Sequence, residues 1–139
     1  MSWFGTPVAP PEAVATCLQQ LLREPIAHVQ VFEHSLFARC HGRAVATTRR
    51  RRIYLRGSGG EFFDNPWLML HEYWHVLKQW EPRTLTLCSY AAECLRRGYW
   101  NNRFEVEARS FADRHAPQLR RLLGPSLESA PNPATPRPG

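Results

Sequence analysis

The chain has 139 residues, of which 43% are hydrophobic, 22% charged and 12% aromatic, as expected for one globular domain with its own core. Its formal net charge is +6, and because Lys78 is the only lysine, arginine supplies nearly all of the positive charge. No apolar run approaches the ~20 residues that would span a membrane. Residues 1–11 lack a basic residue and an apolar segment. This excludes a secretory signal there and predicts a cytoplasmic protein, with export by a signal-independent route left open.

The N-terminal half is predicted to contain two helices and three strands, from the spacing of its apolar and β-forming residues. The helices are expected at residues 11–23 and 35–40, and the strands at residues 28–32, 44–48 and 53–56. The arginine run at residues 49–52 is expected to form the turn between the last two strands. The Gly-Ser-Gly-Gly stretch at residues 57–60 is expected to be a flexible connection.

The C-terminal half is predicted to be helical, because apolar residues recur at helical spacing between capping and proline signals. Helices are expected at residues 66–80, 84–97 and 102–123, with Pro117 interrupting the last one. The proline-rich end has little that could pack, so it is expected to be disordered. The predicted organisation is therefore an N-terminal extension at residues 1–10, a folded domain at residues 11–123 and a tail at residues 124–139.

The four cysteines form no CxxC pair and lack the spacing of a zinc ribbon. Cys17, Cys88 and Cys94 fall on apolar faces of predicted helices, where a reduced cysteine behaves as a small hydrophobe. We therefore expect buried thiols, as in a protein of a reducing compartment. In the helix at residues 84–97, Leu95 is expected on the same inward face as Cys88.

The helix predicted at residues 66–80 carries His-Glu-Tyr-Trp-His at positions 71–75, which has the spacing HExxH. His71 and His75 are four residues apart and share one helical face, so both imidazoles can reach one metal ion. Glu72 is then placed to act as the general base toward a water molecule at that ion. The rest of the helix is largely apolar, which predicts a central helix whose buried polar residues need a partner.

A third ligand is expected farther along the chain, because catalytic zinc sites commonly use three protein ligands. The glycine and third histidine that mark a metzincin are absent. Glu105 shares a helical face with alanines at the third and seventh positions after it, which permit close approach to the central helix. Glu107 points about 200° away from that face. Glu105 is therefore the predicted ligand, with Glu107 and His115 as alternatives.

With these residues the chain resembles the gluzincin metallopeptidases, in which HExxH is followed on a later helix by a ligand glutamate in ExxA(D/N). Glu105 and Ala108 match that second pattern. A closer resemblance, over residues 24–79, is to a small zinc-peptidase domain of bacterial proteins, including those associated with extracellular contractile injection systems. It is carried by Val29-Gln30-Val31-Phe32, Ala44-Val45-Ala46, Arg52-Ile53-Tyr54-Leu55 and the ten residues at 70–79.

The resemblance implies an α+β fold, a minimal gluzincin in which a small, mostly antiparallel β-sheet packs on helices. It further implies one Zn²⁺ ion on the HExxH helix and a strand at residues 53–56 along the cleft. The chain departs from the family pattern at two positions. Arg109 stands where an Asp or Asn often supports a ligand histidine, and Lys78 replaces a frequent glutamine.

The leading hypothesis is a zinc metallopeptidase that hydrolyses a peptide or protein substrate. Its residues are the ligands His71, His75 and Glu105 and the base Glu72. The strand at residues 53–56 is expected to be an edge strand with which a substrate strand could pair. No membrane partner is expected.

The residue that stabilises the oxyanion is not identified by the sequence, and Tyr99, His115 and Arg109 are candidates. One alternative function is a zinc-containing binding or regulatory module with little activity, which the departure at Arg109 favours. A second alternative is a basic nucleic-acid-binding protein in which HExxH is accidental, suggested by the positive charge.

Overall fold

A computed structural model of the chain describes residues 2–42 and 44–128. The strands are β1 (Thr6–Val8), β2 (Gln30–Glu33), β3 (Ala46–Arg49) and β4 (Arg52–Leu55). The helices are α1 (Glu12–Leu22), α2 (Leu36–Arg39), α3 (Gly59–Phe63), α4 (Pro66–Trp74), α5 (Leu87–Asn101) and α6 (Arg103–Glu128). A π-helical segment, His75–Trp80, continues α4 without a break. No helix in these described ranges is long and apolar enough to cross a membrane.

The predicted α+β class is confirmed, and the sheet is mixed, with the strand order β1-β2-β4-β3. β1 and β3 pair antiparallel with their neighbours, whereas β2 and β4 are parallel. β4 is therefore an inner strand, and the prediction of an edge strand at residues 53–56 is wrong. The more apolar strand of the β3–β4 hairpin takes the inner place, since Ile53, Tyr54 and Leu55 are all buried. β3 forms the edge instead.

The sheet begins earlier than predicted, because Thr6–Val8 pairs with β2 in the stretch assigned to an N-terminal extension. The strand was not predicted because three residues, one of them proline, are too few to show an alternation of apolar and polar side chains. Proline is nevertheless compatible with a strand at the edge of a sheet. The boundary at residue 11 thus lies after the first strand of the fold.

A short helix, α3, replaces part of the flexible connection expected at residues 57–60. Ser58 caps it by accepting a hydrogen bond from the amide of Glu61 at 3.2 Å. The amide of Gly59 donates to the Glu33 carboxylate at 2.7 Å. A β-carbon on Gly59 would lie 3.0 Å from Val8, so the glycine permits this close approach. Gly59 therefore serves packing.

The predicted central helix is confirmed. Asn65 caps α4 by accepting from the amide of Leu68 at 3.0 Å, and Pro66 occupies the first turn. α4 packs mainly along α6, and the face of α6 that meets the core is fully or nearly fully buried. That face holds Phe104, Ala108, Ala112, Ala116, Leu119 and Leu123.

α6 continues past Pro117, where an interruption was predicted. A proline inside a helix costs about 3 kcal/mol. The buried apolar residues on both sides of Pro117 offset that cost by keeping the helix on the core. The backbone of residues 124–128 also belongs to α6, and the rest of the predicted disordered tail lies outside the described residues.

The predicted inner face of α5 is wrong. Leu95 is 89% exposed and Cys88 is exposed, while Cys17 and Cys94 are only partly buried. The helix turns its buried Glu93 inward instead, because that carboxylate accepts a hydrogen bond from the first amide of α6 at 3.2 Å. The polar contact at the α6 N-terminus thus sets the rotation of α5.

Candidate metal centre

The HExxH residues lie where α4 passes into the π-helical segment. His71 and Glu72 are in the last turn of α4, and His75 is the first residue of the π-helical segment. The wider turn is visible in the hydrogen bond from the Glu81 amide to the Val76 carbonyl at 3.0 Å, five residues back. Such π turns frequently occur at functional sites. The Nε2 atoms of the two histidines face each other at 3.2 Å in a buried environment.

Glu105 is brought to this pair by the start of α6. The buried Asn102 accepts from the amide of Phe104 at 2.9 Å, and its own amide group donates to the Tyr90 carbonyl at 3.3 Å. It therefore caps α6 and joins it to α5. One turn on, Ala108 is fully buried against the core, so α6 can approach α4 closely. The carboxylate of Glu105 lies 3.2 Å from His71 Nε2 and 3.4 Å from His75 Nε2.

These three side chains converge as potential ligands of a single metal ion. Their ligand atoms all lie within 4.8 Å of one another. A tetrahedral ion such as zinc, with bonds of about 2.0–2.1 Å, spaces its ligand atoms about 3.3 Å apart. The two histidine Nε2 atoms, 3.2 Å apart, match that spacing. Glu105 approaches them through different oxygens, with Oε2 at 3.2 Å from His71 Nε2 and Oε1 at 3.4 Å from His75 Nε2. His71, His75 and Glu105 could therefore hold a metal ion.

The electrostatics of the cluster favour a cation among the three ligands. Burial alone would raise the pKa of Glu105, but hydrogen bonds with His71 and His75 outweigh burial and hold that pKa well below its usual range. Burial would lower the pKa of His75, but its hydrogen bond to Glu105 and the charge of Glu72 raise it. A metal ion could satisfy the same negative field that raises the pKa of His75.

Glu72 borders the same cleft but is not among the three converging ligands. Its carboxyl group is buried, and burial is the main reason that its pKa is raised. Positive charge on His75 and His71 partly offsets the rise. A carboxylate whose pKa is raised beside a metal site is suited to accept a proton.

His75 is oriented by Gln79, one turn farther along the same helix. The Gln79 side-chain oxygen lies 2.6 Å from His75 Nδ1. Its amide nitrogen donates to the Phe104 carbonyl and to the Glu107 carboxylate, both at 3.0 Å. Because these bonds fix the amide orientation, His75 Nδ1 carries a proton and Nε2 presents its lone pair to the cluster. Glu107, the alternative ligand, therefore supports Gln79 instead.

Gln79 was missed from the sequence, although its position four residues after His75 is a readable signal. Tyr90 was also missed, and its hydroxyl donates to Glu105 Oε1 at 3.0 Å. Gln79 and Tyr90 thus orient His75 and Glu105, respectively.

His71 has no such support, since its Nδ1 is buried without a hydrogen-bond partner among the described residues. The ring of Trp67 stacks on His71, with the centroids 4.8 Å apart.

Of the three candidates for an oxyanion donor, only Tyr99 lines the cleft. Arg109 donates to the Trp100 carbonyl, and its guanidinium lies 3.9 Å from the centre of the Trp100 ring. His115 packs on Phe111, with the ring centroids 4.4 Å apart. Neither Arg109 nor His115 lines the cleft.

The cleft over the cluster has a volume of about 320 Å³. One wall is β3 with the residues before it, and the opposite wall comes from α5 and the loop preceding it. β3 is held to the π-helical segment by a hydrogen bond from Trp80 Nε1 to Thr48 Oγ1 at 3.1 Å. The described residues thus place the three potential ligands and Glu72 in an open groove between an edge strand and a helix.

Comparisons of the chain with protein-family models, with curated proteins and with solved structures found no match. The gluzincin resemblance therefore rests on the HExxH and ExxA spacings and remains a prediction. The geometry of the three potential ligands stands independently of it.

Proposed function

We propose that this protein is a zinc-dependent peptidase. The observation that carries the proposal is the convergence of His71, His75 and Glu105, whose ligand atoms lie within 4.8 Å of one another, with Glu72 beside them in an open cleft. Two imidazoles and one carboxylate form a common donor set of catalytic zinc sites, which leaves a fourth position open. The open cleft above the ligands gives a substrate access to that position.

A bound zinc ion would supply a Lewis acid that polarises a carbonyl group and lowers the pKa of a coordinated water molecule. The chain's own residues perform the remaining tasks. Glu72 accepts a proton from the attacking water and passes it to the leaving amine. Its raised pKa, caused mainly by burial, suits both halves of that transfer. Of the three residues predicted as oxyanion donors, Tyr99 remains a candidate because it lines the cleft.

A substrate strand is proposed to pair with β3. Residues 46–49 line the cleft consecutively, although side chains of a strand alternate between faces, so the backbone edge itself borders the cleft. Among the described residues, β3 pairs with β4 on one side and has no strand on the other. Main-chain hydrogen bonds along a free edge would bind an extended peptide with little demand on its sequence.

The alternative of a zinc-containing module with little activity was favoured by Arg109. Gln79 weakens that argument, because it supplies to His75 the polar support expected from another position. A peptidase and a non-catalytic module would both bind zinc, and only the peptidase would hydrolyse peptides.

The test combines metal analysis with proteolysis of a peptide library, read by mass spectrometry. We expect one zinc ion per wild-type chain, lost in His75→Ala and Glu105→Ala and kept in Glu107→Ala. Glu72→Gln should keep the zinc and lose hydrolysis, whereas Glu12→Gln on the exposed start of α1 should keep both. Wild-type protein that binds zinc but cleaves no peptide would establish the non-catalytic alternative. Hydrolysis undiminished in Glu72→Gln would refute the role of Glu72.

A further inference from the structure

Arg49 ends β3 and lines the same cleft as the metal cluster. Its guanidinium is partly buried between two aromatic side chains, 5.2 Å from the centre of the Phe37 ring and 5.9 Å from that of Trp80. Such stacking fixes the plane and position of the guanidinium group. Arg49 therefore presents a preformed cationic surface to the groove.

The charge of Arg49 has no acidic partner among the described residues. One of its nitrogens donates to the Thr48 carbonyl at 2.8 Å, and another lies 3.0 Å from His41 Nε2. His41 Nδ1 donates to the Phe37 carbonyl at 2.7 Å, so its Nε2 accepts from Arg49. Both acceptors are neutral. Burial lowers the pKa of Arg49, and Tyr54 partly offsets that effect.

A guanidinium group carries five N–H donors, and these two bonds use two of them. The remaining donors can take a planar, bidentate anion, for which a carboxylate is the natural match in a polypeptide. Arg49 is the one arginine among the described residues that line the cleft, and the acidic lining residues, Glu72 and Glu105, belong to the metal site. The end of the cleft at Arg49 is therefore positive.

We propose that Arg49 forms a subsite for a carboxylate of the substrate, so that the cleft selects polypeptides with an acidic group beside the segment that pairs with β3. The inference rests on the proposed peptidase function and names the substrate class of that site. The carboxylate has two chemical sources, an Asp or Glu side chain and the free C-terminus of a peptide. The same guanidinium chemistry serves both, and the experiment separates them.

Binding is measured without hydrolysis, so that its result does not depend on catalysis. Zinc-loaded Glu72→Gln protein is mixed with a pool of degenerate dodecapeptides, and the retained peptides are sequenced by mass spectrometry after ultrafiltration. We expect Asp and Glu to be enriched at one position of the retained peptides. Adding Arg49→Gln should reduce that enrichment about tenfold, in keeping with the loss of a charge-assisted hydrogen bond. A second pool with amidated C-termini identifies the source, because a terminal-carboxylate subsite retains only the free-acid pool.

The matched control is Arg50→Gln, which makes the same change in net charge at an exposed residue of the turn. It should leave the enrichment unchanged, and a reduction equal to that of Arg49→Gln would overturn the subsite in favour of a general charge effect. Arg49→Glu should shift the preference to Lys and Arg. If Arg49 only stabilises the packing of Phe37 and Trp80, Arg49→Gln should lower the melting temperature and reduce the retention of acidic and non-acidic peptides equally. That result would overturn the subsite. Absence of acidic enrichment with Arg49 intact overturns the proposal even where hydrolysis is found.

Discussion

Gln79 shows at the scale of one residue how the site meets a need that the sequence pattern left open. The pattern led us to look for an Asp or Asn at position 109, but Arg109 turns to the Trp100 carbonyl. Gln79 instead accepts from His75 Nδ1 at 2.6 Å and is itself fixed by two acceptors on α6. Such outer contacts hold a ligand's tautomer and ring orientation. The support for His75 thus comes from its own helix.

Replacing Gln79 with Met tests this support. Met has similar length but cannot accept the His75 proton, so we expect zinc affinity to fall about 10–100-fold while binding stoichiometry is retained. Competition with a fluorescent chelator measures the affinity. Lys78→Met, at the neighbouring, partly exposed residue, serves as the control for a change in the same turn. Equal affinities of Gln79→Met and wild type would show that His75 needs no such contact.

The buried carboxyl group of Glu72 is expected to destabilise the folded chain at neutral pH. Burial raises the pKa of its carboxyl group, so the folded chain holds this proton more tightly than the unfolded chain does. Stability is therefore lost as the pH rises from the unfolded pKa, about 4.3, through the raised folded pKa. In chelator-treated protein, Glu72→Gln should melt at a higher temperature than wild type at pH 7. This difference in melting temperature should vanish near pH 4. A lower melting temperature of Glu72→Gln than of wild type at pH 7 would contradict the prediction.

Helices and strands were predictable where apolar residues recur at regular spacing over several turns or strand positions. α1 and α4 repeat apolar residues over several turns, and Glu105 was found because alanines share its helical face. β1 and α3 were not predictable, since each is short and is fixed by contacts with β2. The rotation of α5 follows a buried contact of Glu93, which overrides its apolar face. The inner place of β4 depends on pairing with β2, which lies far away in sequence.

The start of the sheet can be tested at Gly5, just before β1. Gly5 has φ +97°, and a β-carbon there would lie 2.2 Å from the Glu33 carbonyl oxygen. We expect Gly5→Ala to lower the free energy of unfolding by about 1–3 kcal/mol, because the backbone must move from a conformation that L-residues rarely adopt. Gly60→Ala is the control, since its β-carbon would meet only Ser58 Oγ at 3.9 Å. Urea denaturation measures both, and equal effects would show that β1 adds little to the fold.

Across the whole molecule, the proposed zinc site joins the two helices that pack most extensively against each other, α4 with its π-helical segment and α6. An ion held by His71 and His75 on one side and Glu105 on the other would bridge them, so binding should stabilise the folded chain as a unit. Zinc at about a thousandfold excess over its Kd contributes about 4 kcal/mol when the unfolded chain does not bind it. That corresponds to about 10 °C or more in melting temperature for a domain of this size.

We therefore expect zinc to raise the melting temperature of chelator-stripped wild-type protein by about that amount, measured by differential scanning calorimetry. Glu105→Ala should lose most of the increase, because the bridge to α6 is removed while both histidines remain on one helix. Glu72→Gln should keep the increase, since its carboxylate lies outside the ligand set. This separates the ion's structural effect from hydrolysis. An equal zinc-dependent increase in Glu105→Ala would mean that the ion is held without α6, and the three-ligand site would be wrong.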